Sequence, residues 1–166
     1  IVPSNYSQDA DWYVDSVLNS EKPFYTVIGN HDGGNSADIS ISGTKQQVFD
    51  KFILPTISKI GLQNLDKTYY SVVYNDYKVV LIVIDVYDVP DTLLSDGNFA
   101  VSRTVEAISQ AQVDWLIQQL KSIPSDYHLI IARHSGGGTT WTNDTCDWTM
   151  PTGKIESSVV GYECPV

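Results

Sequence analysis

Six consecutive aliphatic residues, Val79-Val80-Leu81-Ile82-Val83-Ile84, stand between Lys78 and Asp85, and the chain has no longer apolar run. A segment this short falls far below the roughly 20 apolar residues that span a bilayer. It reads instead as a strand. Because it lacks polar alternation, it must be covered on both faces, which asks for a layered fold. Just before it, Thr68 to Tyr74 is rich in β-branched and aromatic residues, and Asn75-Asp76-Tyr77 between the two runs is a turn signal. The pair is predicted to form an antiparallel hairpin. With 166 residues, 42% hydrophobic and 18% charged, the chain suits one domain with a sizeable core, residues 1–166.

Helical and strand patterns alternate around this hairpin. Residues Gln8 to Leu18 place Ala10, Tyr13, Val14, Val17 and Leu18 at helical spacing, and Glu21-Lys22-Pro23 ends the helix. Phe24 to Ile28 follows as a predicted buried strand. From Lys45 to Ile60 the positions Val48, Phe49, Phe52, Ile53, Ile57 and Ile60 suit a helix, which Pro55 should kink or divide. Asp88 to Arg103, with Pro90 and Gly97, reads as an irregular excursion. Ser109 is the expected N-cap of a helix with Val113, Leu116, Ile117 and Leu120 on its apolar stripe, closed by Pro124. His128 to Ala132 is the next strand, and it runs into Arg133-His134 and a glycine-rich stretch. Residues 139–166 form an irregular aromatic and glycine-rich extension, with a candidate strand at Ser157 to Val160 and a candidate disulfide between Cys146 and Cys164.

The net charge of −10 argues against a general nucleic-acid-binding surface, since only 10 Lys and Arg are present and they are scattered. An anionic substrate would need local attraction. Bound divalent cations provide it, because an ion reverses the sign of the field in its site.

The chemistry-bearing residues gather at strand ends, where rigid backbone aims side chains at one point. Gly29-Asn30-His31-Asp32 follows the predicted strand Phe24 to Ile28. A carboxamide oxygen can ligate a hard cation, an imidazole can ligate a metal or move a proton near neutral pH, and a neighbouring carboxylate can fix its tautomer. The plainer reading is a turn, for which Gly-Asn and Asp-Gly are common formers. His134 also follows a β-rich run, whereas His128 opens one and reads as a structural or surface residue. Asp85, at the end of the strongest strand, is expected to hydrogen-bond a turn. Trp12 and Trp115 are expected in the core. Trp141, Trp148 and Tyr162 could wall a site, bind sugar, or form a satellite apolar cluster under the loop.

With its Gly-Asn-His-Asp tetrapeptide, followed by Thr68-Tyr69-Tyr70-Ser71, the strand ending Ile84-Asp85, Ser109 to Leu116 and Ile130 to Ser135, the chain resembles the calcineurin-like metallophosphoesterases. These include purple acid phosphatases and related secreted or phage-encoded enzymes. The resemblance covers Gln8 to Ser135 and implies an α/β sandwich of mixed sheets flanked by helices, with the active site at the strands' C-terminal ends. It implies two divalent or trivalent metal ions, Fe, Mn or Zn, about 3.5 to 4 Å apart, which clamp a phosphoryl group and generate a hydroxide nucleophile. Asn30 and His134 would be ligands of the same metal; His31 and Asp32 would be catalytic, His31 as proton donor or transition-state stabiliser near the leaving-group oxygen and Asp32 orienting it. The substrate would be a phosphate mono- or diester. The family's Asp-x-His, Gly-Asp-x-x-Asp and Gly-His-x-His segments do not occur, which implies an incomplete central portion of the domain. Arg133 before His134, and three glycines after Ser135, also depart from the pattern. The alternative is a module of reduced or lost activity in a virion or cell-surface protein, and an extracellular, cell-surface or virion location is expected in either case.

Overall fold

The computed structural model describes residues 4–34, 36–60 and 66–134. Within them a three-stranded mixed sheet has helices on both faces, an α/β arrangement. The hairpin forms as expected: β1 (Tyr70–Tyr74) pairs antiparallel with β2 (Val79–Val83), Tyr70 opposite Val83 and Tyr74 opposite Val79. A 3-10 turn, Asn75–Tyr77, joins them, and Lys78 takes the left-handed conformation at φ 51° to close it. β3 (His128–Ala132) then adds parallel to β2, Val79 opposite His128 and Val83 opposite Ala132.

The aliphatic run is buried on both sides, as its composition requires. Val80, Ile82 and Ile84 face α4 (Gln110–Ser122), where Val113 and Leu116 meet them and Trp115 closes the edge. Val83 and Leu81 face the opposite cluster, with Tyr70, Val72, Ile28 and the helical segments described next. Ser109 caps α4 by accepting from Gln112 N at 3.2 Å. Ile117 and Leu120, expected on the apolar stripe, lie outside at 39% and 42% exposure because the sheet receives only the Val113–Leu116 side.

On the other face, α1 (Ser4–Asn19) inserts Ala10 and Val17, with Tyr13 against Phe52 at 6.1 Å between rings. Trp12 does not join the core and is 75% exposed. It stands two residues, about 200° around the helix, from Ala10 and so points away from the cluster. The long helical pattern forms in three parts: α2 (Lys45–Val48), a π segment (Phe49–Ile53) and α3 (Leu54–Ile60). Pro55 explains the division. It has no N–H for the carbonyl four residues back and its ring crowds that carbonyl, and the widened turn immediately before it, with Leu54 N bonding to Phe49 O, relieves the conflict.

Phe24 to Ile28 forms no ladder, so the strand expected there is not formed among the described residues. The segment is held by side chains instead: Tyr70 Oη donates to Thr26 O at 2.9 Å, and Thr26 Oγ1 sits 2.8 Å from Thr56 Oγ1. No helix among the described residues is long and apolar enough to cross a membrane.

Candidate functional site

The topology collects the chemistry at one end of the sheet. β2 and β3 are parallel, so Asp85 and His134 both lie just beyond carboxyl ends, and antiparallel β1 brings Thr68 to the same edge. The tetrapeptide reaches this end as a tight turn, with Asp32 N donating to Gly29 O at 3.2 Å and Gly34 N to His31 O at 3.1 Å. Asp32 folds back to accept from Gly29 N at 2.7 Å. Gly34, at φ +96°, lies against the Ile41–Ser42 backbone so tightly that a Cβ would sit 2.6 Å from Ile41 O; only glycine fits.

His134 packs directly on Gly29. A Cβ on Gly29 would stand 2.8 Å from His134 Nδ1, so the missing side chain is what admits the imidazole beside the turn. The ring also neighbours Tyr87, 6.0 Å between centroids and tilted by 59°. Burial pushes the Asp32 carboxyl above its ordinary range, while the Gly29 N–H and the fields of His134 and His31 pull it down. His134, His31 and Asp32 are therefore in electrostatic contact although His134 is distant in sequence. Asn30 sits half-buried in the same turn.

A cavity of about 390 Å³ opens beside the turn, with His31 and Asp32 in its wall and Ala10, Tyr13, Val27 and Phe52 supplying an apolar remainder. Gly29 itself borders a much smaller space, together with Lys45, Thr68, Asp85, Tyr87 and Arg103.

Asp85 occupies a different setting. Its Oδ1 accepts from Tyr87 N at 2.8 Å and its Oδ2 from Thr68 Oγ1 at 2.5 Å, while Gln112 brackets its backbone, accepting from Asp85 N at 2.9 Å and donating to Asp85 O at 2.8 Å. Hydrogen bonding to the turn is the role expected from sequence. Burial pushes its carboxyl up to about 6, opposed by the Thr68 and Tyr87 donors, with nearby Asp88 pushing the same way as burial and Lys45 against it. Asp88 in turn takes Gln112 Nε2 at 3.2 Å, the Ser109 hydroxyl and the Lys45 ammonium. Placed at the N-terminus of α4, its charge also meets the positive end of the helix dipole.

A carboxamide on Asn30 and an imidazole admitted by Gly29 are donor types that a metal ion accepts. Among the described residues no group of three or more His, Cys, Asp or Glu could hold an ion, so further donors would have to come from elsewhere. His128 is exposed at the far end of β3, apart from the turn. Trp141, Trp148, Tyr162, Cys146, Cys164 and the candidate strand Ser157 to Val160 lie outside the described residues.

Sequence reading did not single out Tyr87 or Arg103. Tyr87 had one signal, its place two residues beyond Asp85. Arg103 had none: its stem lies against Gly33 and its guanidinium ties the excursion together through Asp91 at 2.5 Å and the Phe99 ring at 3.7 Å. Compared with protein families, with curated proteins and with solved structures, the chain finds no match.

Proposed function

We propose that this chain carries the central part of a metallophosphoesterase-like α/β sandwich and takes part in metal-dependent hydrolysis of a phosphate mono- or diester. The observation that supports the reading is the seating of the His134 imidazole on Gly29, which brings together two segments that carry the family resemblance, with His31 and Asp32 of the same turn lining a cavity. In this reading Asn30 and His134 hold metal. When bound, a pair of Fe, Mn or Zn ions would neutralise phosphoryl charge and make water a nucleophile at neutral pH.

The chain's own groups do the remaining work. Water's oxygen joins phosphorus and loses a proton to solvent, while the bond from phosphorus to the ester oxygen breaks. His31, exposed at the cavity, gives its proton to the departing oxygen. Asp32, in the field of both imidazoles, orients the His31 ring in this reading and is held in place by Gly29 N. Phosphoryl transfer depends mainly on such positioning and charge stabilisation.

Metal analysis of the intact protein, together with assays on p-nitrophenyl phosphate and bis-p-nitrophenyl phosphate, tests the reading. His31→Ala is expected to cut turnover more than metal content, and Asn30→Ala or His134→Ala to lower metal occupancy. Less than one metal per chain with no turnover would sink the proposal in favour of a phosphoesterase-like module with a structural or adhesive role.

A further inference from the structure

We infer that the cavity beside His31 and Asp32 is a leaving-group pocket, and that the preferred substrate is a phosphate ester of an apolar, ring-bearing alcohol. This rests on the hydrolytic reading above and specifies its substrate. The volume, about 390 Å³, falls in the range of small-molecule sites. Its composition decides the guest. Ala10, Val27, Tyr13 and Phe52 present hydrocarbon, and the rings of Tyr13 and Phe52 stand tilted at 55°, so an inserted ring meets both faces and edges.

Among the described residues of this wall, the hydroxyls of Tyr13 and Thr26 are turned to one another. Tyr13 Oη lies 3.0 Å from Thr26 Oγ1, which lies 2.8 Å from Thr56 Oγ1. A sugar or glyceryl group entering the cavity would exchange its water for hydrocarbon with few new hydrogen bonds, whereas an aryl group loses nothing by leaving water. His31 and Asp32 border the same space, so an ester whose ring fills the cavity has its bridging oxygen at the imidazole. Hydrolysis then breaks the P–O bond to that oxygen, water's oxygen takes its place on phosphorus, and the proton from His31 releases the alcohol into the pocket.

Two measurements on the intact protein test this. In the first, 1-naphthol is titrated by fluorescence, with no turnover needed. It should bind the wild type, and Val27→Phe, which fills the cavity, should weaken binding at least about tenfold. Ala10→Leu serves as a second filling variant, and circular dichroism verifies that each variant is folded. In the second, kcat/KM for 1-naphthyl phosphate is expected to exceed that for methyl phosphate, and the ratio to fall about tenfold or more in the filled variants. No binding of 1-naphthol, binding indifferent to both fillings, or equal kcat/KM for the two esters would overturn the inference. Binding that responds to the fillings, in protein that hydrolyses no ester, would overturn the ester assignment and the hydrolytic reading together while leaving an aryl-binding cavity.

Discussion

Two acidic groups at the same end of the sheet live in opposite circumstances. Asp85 is sealed, with donors from Thr68 and Tyr87 on its oxygens and Gln112 on its backbone, and the space it borders holds about 20 Å³. Asp32 borders an open cavity, is bonded to Gly29 N and shares its field with two imidazoles. A place at this end of the sheet therefore does not by itself put a carboxylate at the cavity. What separates the two is where their hydrogen-bonding capacity goes: into the backbone of the fold at Asp85, and into a turn that presents His31 and receives His134 at Asp32.

The largest expected effect lies in the sealed region. Gln112→Leu would leave Asp85 N and O without their partner and remove a donor from Asp88, all in buried surroundings. Each orphaned group costs about 1–3 kcal/mol, so a loss of about 3 to 5 kcal/mol is expected. Urea unfolding measures it, and a shift below about 1 kcal/mol would mean that the network contributes little.

A second effect follows from the raised Asp85 carboxyl. Between the unfolded value near 3.8 and the folded value of about 6, the folded chain holds a proton that the unfolded chain has lost, so stability falls as pH rises through this window. Up to about 3 kcal/mol is lost across it. Asp85→Asn keeps an acceptor for Tyr87 N and offers its amide to Thr68, so its stability should be flatter from pH 4 to 6 than that of the wild type. Parallel pH profiles would contradict the assigned cause.

Gly29→Ala sharpens the contrast from the other side. The added methyl meets an imidazole at the end of a side chain, which can swing away, so the stability loss should stay near about 1 kcal/mol. The His134 ring resonances should nevertheless move strongly by NMR. Smallest of all, Trp12→Ser on the exposed face of α1 should change stability by no more than about 0.5 kcal/mol.

Much of the frame is legible in the sequence. The hairpin, the Ser109 cap and β3 carry strong local signals: β-branched runs, a hydroxyl before a helical stripe, and a Pro after it. Phe24 to Ile28 has the same kind of signal yet makes no ladder among the described residues, because pairing depends on a neighbouring backbone that composition does not reveal. Trp12 was misplaced because a helix with several apolar residues admits more than one buried face, and the partner decides among them. At the site, the tetrapeptide was readable as a turn bearing chemistry. The approach of His134 to the tetrapeptide is implied by the family resemblance, which puts Asn30 and His134 at one metal, but not by any local signal, since it is created by the parallel addition of β3. Gln112 was invisible as a network hub, because a glutamine in a first helical turn carries no mark of the buried backbone it will meet.

The most direct measurement sets the two regions against each other in one assay: turnover of bis-p-nitrophenyl phosphate by intact protein carrying His134→Ala or Asp85→Asn. If the open turn is the hydrolytic site and the sealed network is scaffold, His134→Ala should lose about 100-fold or more while Asp85→Asn stays within about threefold of wild type. A loss at Asp85→Asn as large as that at His134→Ala, or turnover indifferent to His134, would contradict it.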